Sequence, residues 1–261
     1  MIVIKFGGHA MNDEHGEFAQ SIARAIKQGV QPVIVHGGGP QIASALAAAD
    51  IKSHFVGGFR VTTPEIFEVV EQVLVHEVGP AVAKSLNEHG VPARAISGRH
   101  KNTLVAKVLD HLVDGTPAEL GLVGEVISVQ TEHMRECVTD GVVPVIAPVA
   151  HNQSNDGGLN VNADLAAAAI AGALDADWLI IMTDVAGIYR NWPDADSLIT
   201  DISATDLESI KGTFAEGMAP KVQACLDAIA AGAQAVRIID GTDPAALESA
   251  LLGVGGTLVM A

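Results

Sequence analysis

The stretch "IVIKFGGHA", residues 2–10, decides how the chain is read. Ile2, Val3, Ile4 and Phe6 make a short apolar run of the kind buried on both faces of a parallel sheet. Yet Lys5 sits inside that run, and Gly7 and Gly8 follow it at once. An unpaired ammonium is costly to bury. Lys5 therefore either snorkels from an edge strand or points at an anion. Glycines after a strand often only make a turn, but they also let a backbone approach a ligand closely.

Working outward, the next apolar run is "PVIVH", Pro32–His36, and three glycines follow it, Gly37, Gly38 and Gly39. Pro40 suits the first turn of a helix running to about residue 49. A glycine loop that opens a helix after a strand offers free N–H groups and a favourable dipole to a phosphate. The two commonest phosphate loops are nevertheless disfavoured. The chain contains no Gly-Lys dipeptide, and no Gly-x-Gly-x-x-Gly fingerprint follows either early strand.

Further along, Phe18, Ile22, Ala25 and Ile26 have helical spacing, ending near Gly29. Thr63-Pro64-Glu65 reads as an N-cap, a first-turn proline and a first-turn acid. Its helix should break or kink near Gly79-Pro80 and resume to Gly90. Strands are expected at 92–97, 142–149, 178–183, 235–240 and near 257–260. The β-rich segments 103–109 and 122–130 suggest a hairpin flap. Helices are expected at 163–174 and 220–231, with a short one before the last strand. Alternating strands and helices predict an α/β sandwich.

Composition agrees. The chain has 261 residues, 49% hydrophobic and 3% aromatic, with enough small and branched residues to pack helices on a parallel sheet. No repeat or linker divides it, and a soft lobe boundary falls near Asp175, giving lobes 1–175 and 176–261. The net charge of −16 argues against nucleic acid or an anionic membrane as partner. No apolar run is long enough to span a bilayer, and no signal peptide is expected ahead of the first strand. Cys137 and Cys225 match no metal spacing, which fits a reduced cytoplasmic setting.

Several polar residues stand out as candidates. Lys221, one of only eight lysines, follows "EGMAP" at a helix start, where it opposes the dipole unless an anion offsets it. "NVNAD" opens the Ala-rich helix, so Asn160, Asn162 and Asp164 either hold a polar ligand or simply cap. Arg60, in "GFRVTTPE", could clamp a carboxylate bidentately or lie on the surface. His36 reads as a structural histidine at a strand end. The chain has no His-Glu-x-x-His and no Cys-x-x-Cys, so a protein-caged metal is not expected.

Seven motifs occur in register: "IVIKFGGHAM", "VIVHGGGPQI", "GFRVTTPE", "LVGEV", "LNVNAD", "IIMTDVAGIY" and "EGMAPKVQACL". Together they resemble the amino acid kinase family over essentially the whole chain. The resemblance implies a three-layer α/β/α sandwich with a mainly parallel central sheet. The N-terminal lobe would bind the amino acid substrate and form a homodimer contact, and the C-terminal lobe would bind ATP. It implies transfer of the γ-phosphoryl of MgATP to the side-chain carboxylate of N-acetyl-L-glutamate, with Mg²⁺ held mainly by ATP phosphates and water. Lys5 and Lys221 would stabilise the group in transfer, and Asp164 would orient both. Gly7 and Gly8 would serve ATP phosphates, together with Asp184 and Lys221 on the nucleotide side. Gly37, Gly38 and Gly39 would face the same group from the acceptor side, and Arg60 and Asn160 would hold the substrate.

The chain departs from the family's pattern in three places. Arginine-inhibited members carry a helix before the first strand, whereas here the strand begins at once. "RIIDGTDPAALESALLGVGGT" matches their effector region poorly. These two departures predict an arginine-insensitive homodimer. "ISGRHKNTLVAK" also differs, which bears on substrate detail near the flap. Two rival readings stand beside the main one. The first is a kinase of the same family acting on carrier-linked aminoadipate or glutamate, disfavoured by "HGGGPQ" and by the acidic balance. The second is a non-catalytic amino-acid-binding regulator, disfavoured by the retention of Lys5, Asp164 and Lys221.

Overall fold

A computed structural model of the chain describes residues 1–7, 16–214 and 217–261. Gly8, and Glu216 of "EGMAP", lie outside the described residues. The strand Ile2–Phe6 is buried at every position. It lies in the middle of an eight-stranded sheet, flanked by Pro32–His36 and Trp178–Thr183, both parallel to it. Lys5 pairs with Val35 on one side and Ile181 on the other. The edge-strand reading of Lys5 is thereby excluded.

Beyond Pro32–His36 the sheet continues through Val143–Ala147 to Ala93–Ser97. Beyond Trp178–Thr183 it continues through Ala235–Asp240 and Thr257–Met260 to Asp201–Ser203. Only the contact between Ala235–Asp240 and Thr257–Met260 is antiparallel. The chain builds one half of the sheet first and then crosses to the other, so the order reverses at Ile2–Phe6. In open α/β sheets that reversal opens a crevice at the carboxyl ends of the strands.

Helices cover both faces, and strand alternation assigns the residues. Ile2, Ile4 and Phe6 pack with Phe18, Ile22, Ile42 and Leu46 on one face. Val3, Val33 and Val35 pack with Ala166, Ala167, Ile170 and Val222 on the other. The period of two therefore aims Lys5 the same way as Val3, toward the helix Ala163–Ala173. Small residues let that helix and Ala219–Ala230 come close. A Cβ at Gly172 would collide with the side chain of Ala231.

The helix Glu17–Lys27 follows the expected stripe, although Ile26 is 37% exposed and lies outside the buried face. Thr63 caps as expected, accepting from the Ile66 N–H at 3.2 Å. Gly79-Pro80 does not break the following helix. The chain winds as an α-helix over Pro64–Glu71, as a π-helix over Gln72–Val78, and again as an α-helix over Gly79–Glu88. Pro80 has no N–H to donate, and the wider turn just before it absorbs that loss.

Two further corrections concern the β-segments. Leu104–Val108 and Val123–Val129 do pair antiparallel, but not as a free flap. Val149–Asn152 and Gly158–Val161 close them into a four-stranded barrel. The expected strand over 142–149 is two strands separated by Pro148, the first in the main sheet and the second in the barrel. The sequence reading also passed over Gly158–Val161, the helix Glu132–Thr139, and the pair Asp201–Ser203 and Ala204–Ile210.

Candidate active site

At the carboxyl end of the central strand, three charged side chains meet. Lys5 Nζ lies 3.1 Å from Asp164 Oδ1, and Lys221 Nζ lies 3.1 Å from Asp164 Oδ2. Lys5 also donates to the Met182 carbonyl at 3.2 Å. Each group arrives from a different element. Lys5 comes from the first strand and Asp164 from the first turn of the Ala-rich helix. Lys221 comes from the first turn of Ala219–Ala230. Lys5 and Asp164 are 7% and 4% exposed, so this is a buried ion pair, and the anion it needs is supplied from within. Burial pushes the Asp164 carboxyl up, and Lys5 and Lys221 outweigh that effect, holding it below its ordinary value. One carboxylate thus positions two ammonium groups, and the site keeps a net positive charge.

Two clefts adjoin this triad. The first, about 230 Å³, is lined by Lys5, Asp164, Gly38, Gly39, Arg60 and Asn160 among others. The second, about 670 Å³, is lined by Asp184, Tyr189, Trp192, Phe214, Met218 and Lys221 among others. Asp164 faces the first and holds Lys221, which faces the second. The structure thus brings nearly every candidate residue to one place.

Arg60 is 8% exposed and burial lowers its pKa. Its Nη1 donates to Ser53 Oγ at 2.7 Å and its Nη2 to the Gly39 carbonyl at 3.4 Å. Its guanidinium stacks on the Phe55 ring, 4.6 Å from the centroid. No carboxylate pairs with it among the described residues. A buried guanidinium that faces a cleft without an acid is able to pair with an anionic ligand.

Asn160 donates from Nδ2 to Thr62 Oγ1 at 3.1 Å. Asn162 caps the Ala-rich helix, accepting from the Asp164 and Leu165 N–H groups at 2.8 and 3.2 Å. Of the three glycines in the loop, Gly37 donates its N–H to the Phe6 carbonyl at 2.7 Å, so that group is already committed. Gly38 and Gly39 open the helix, where N–H groups have no intrahelical acceptor. A Cβ at Gly7 would lie 2.7 Å from Lys5 Nζ, so only glycine leaves that lysine its place. His36 is buried, and burial lowers it to about 4, so it is neutral, with Nδ1 2.8 Å from the Gly37 carbonyl.

No described group of three or more His, Cys, Asp or Glu could cage a metal ion. No helix among the described residues is long and apolar enough to cross a membrane. Cys137 and Cys225 are buried and unpaired.

A doubly wound α/β sheet, with two lysines sharing one carboxylate between a smaller and a larger cleft, fits a phosphotransferase of the small-molecule kinase class. The sequence pattern of the amino acid kinase family matches residues 1–240, and the chain belongs to that family. It is 42% identical over 249 residues to an acetylglutamate kinase of Kineococcus radiotolerans, covering 92% of this chain and 83% of that one. It is 44% identical over 250 residues to an acetylglutamate kinase of an Arthrobacter species, covering 93% and 81%. A crystal structure of a Streptococcus mutans protein superposes with a TM-score of 0.82 at 29% identity, covering 99% and 98% of the two chains. A carbamate kinase from Giardia lamblia shares the fold with a TM-score of 0.71 at 20% identity, covering 99% and 97%.

Proposed function

We propose that the chain transfers the γ-phosphoryl group of ATP to the side-chain carboxylate of N-acetyl-L-glutamate. The observation that carries this reading is the placement of Lys5, Asp164 and Lys221 where the two clefts meet. Relatives named acetylglutamate kinase, 42% and 44% identical, favour this acceptor.

The chemistry needs little beyond charge and position. A carboxylate nucleophile is already ionised at neutral pH, so no general base is required. Arg60 and Asn160 hold the end of the acceptor that does not react, which leaves its distal carboxylate toward Lys5. Lys5 and the N–H groups of Gly38 and Gly39 face the transferring group, and Lys221 faces the leaving side. Asp164 keeps the two ammonium groups apart and aimed, so the charge developing between them meets preset partners. The second cleft, with Tyr189, Trp192 and Phe214 around Asp184 and Lys221, suits a nucleotide with an aromatic base. Bound with ATP, Mg²⁺ would neutralise phosphate charge. It would keep mostly water and phosphate ligands, in keeping with a described site that offers no carboxylate cage.

All first-cleft residues named above lie within 1–175 and all second-cleft residues within 176–261, which supports an acceptor lobe and a nucleotide lobe. We include a homodimer through the acceptor lobe and a cytoplasmic setting in the same proposal. The outer edge of Ala93–Ser97 and the two free cysteines favour them. The test is a hydroxamate assay with ATP, MgCl₂ and a panel of N-acylated and free acidic amino acids. N-acetyl-L-glutamate should give the strongest signal. A stronger one from another acid would replace the acceptor, and none from any acid would overturn kinase activity.

A further inference from the structure

Thr62 has no exposed surface and takes no part in the readings above, yet it joins both acceptor-side residues. Its hydroxyl donates to the Arg60 carbonyl at 2.7 Å and accepts from Asn160 Nδ2 at 3.1 Å. Its backbone is fixed on both sides. The Thr62 N–H donates to the Leu120 carbonyl at 2.9 Å, and its carbonyl accepts from the Leu122 N–H at 2.7 Å. The Asn160 N–H donates to the Leu122 carbonyl at 2.9 Å, so one three-residue segment places Thr62 and Asn160 together. Gly121 at the centre of that segment has φ +70°, and a Cβ there would strike the Thr62 carbonyl.

A hydroxyl has one proton. Here that proton goes to the Arg60 carbonyl, so toward Asn160 the hydroxyl can only accept. Asn160 must then turn its NH₂ group to Thr62. An asparagine amide left to itself can flip, because its two ends are nearly the same size. We infer that Thr62 is a positioning residue that fixes the Asn160 amide in one orientation and thereby sets which polar groups the acceptor must carry. With Nδ2 tied to Thr62, Asn160 offers the cleft its amide oxygen and one remaining N–H. An acceptor that matches both carries an N–H donor near a negatively charged acceptor group. An N-acylated α-amino acid has that pair, and an α-acyloxy acid lacks the donor.

The inference rests on the proposed acceptor chemistry, and the test separates the two. Wild-type enzyme is first assayed with N-acetyl-L-glutamate and with its ester isostere, in which oxygen replaces the amide N–H. If wild type uses neither, the proposed acceptor has failed, and the same comparison is run on whichever amino-acid acceptor it does use. Thr62→Val removes the hydroxyl at nearly constant volume. It should raise KM for N-acetyl-L-glutamate about five- to tenfold, as loss of one buried hydrogen bond does. It should leave KM for ATP unchanged and shrink the preference over the ester by a similar factor. Thr62→Ser restores the hydroxyl and should restore both values. If Thr62→Val does not fold, Asn160→Asp supplies the test. It puts a carboxylate where the NH₂ must be, and it should lose affinity for the acid while Thr62→Ser remains normal. A Thr62→Val enzyme with unchanged discrimination, or one in which both KM values rise while kcat falls and serine does not rescue, would overturn the inference.

Discussion

The cleft beside Arg60 and the cleft beside Trp192 are built on opposite plans. On the first side almost every polar side chain is already engaged with protein. Arg60 is held by Ser53, Gly39 and Phe55, Asn160 by Thr62, and Lys5 by Asp164 and Met182. On the second side Trp192 is 66% exposed and meets Tyr189 edge-on at 5.1 Å. Lys221 is more open than Lys5, with side-chain exposures of 19% and 8%. In the proposed function the first cleft would select by preset geometry, which lowers the ordering cost at binding. The second presents exposed aromatic area, which in the same proposal would take a flat ring and ask less of position.

The largest effect should come from Asp164, the group common to both sides. Asp164→Asn leaves Lys5 buried without its counter-charge, and breaking such a pair costs about 3–5 kcal/mol of stability. Urea unfolding and initial rates should both fall. The folded carboxyl is held below its ordinary value, so its stabilising contribution is complete above that value and is lost as pH falls through the lower folded one. The acid limb of the stability curve should therefore be shallower in the variant. Wild-type stability in Asp164→Asn would show that the two lysines do not depend on it.

Next come the lysines. Lys5→Ala should lower kcat by about 2.7–4 kcal/mol of barrier with little change in either KM. Lys221→Ala should match it in kcat and weaken ATP binding as well, because Lys221 lines the second cleft. Identical profiles for the two would erase the contrast between the sides. A smaller effect is expected for Arg60→Lys, which keeps charge and loses the fork. It should cost about 1.5–3 kcal/mol in acceptor affinity, read as KM, with ATP unaffected. Damage to both substrates alike would make Arg60 a structural residue. Smallest of all should be Gly39→Ala, since no atom lies within 4 Å of the added methyl and the N–H is retained. Its melting curve should place it within about 0.5 kcal/mol of wild type. A large rise in KM at unchanged stability would mean that the approach of ligand to the Gly39 Cα is closer than its N–H role requires.

Much of this was legible because its causes are local. An apolar run, its glycines and one misplaced lysine mark the central strand, and strand alternation then aims Lys5 at the helix that Asp164 opens. The Thr63-Pro64-Glu65 cap follows from side-chain chemistry within a single turn. What escaped depends on distant partners. Gly158–Val161 is interrupted in pattern by Asn160, and only its barrel neighbours make it a strand. Glu132–Thr139 buries only Met134 and Cys137, too few to give a stripe. Residues 142–149 read as one strand because composition does not reveal which sheet a run joins. Thr62 was hidden beside Thr63, whose capping role accounted for the threonine pair in sequence.

Pro148 separates Val143–Ala147 of the main sheet from Val149–Asn152 of the barrel, and it is the only residue between them. It has no N–H to give to either ladder, and its carbonyl accepts from the Val161 N–H at 3.0 Å. One residue spans at most about 3.6 Å. The barrel therefore has no slack with which to draw away from the sheet. Pro148 itself lines the first cleft, so this covalent junction forms part of the cleft wall. On the proposed acceptor chemistry, a wall so anchored gives the cleft a fixed reach, which a longer or shorter chain between carboxylates would not match.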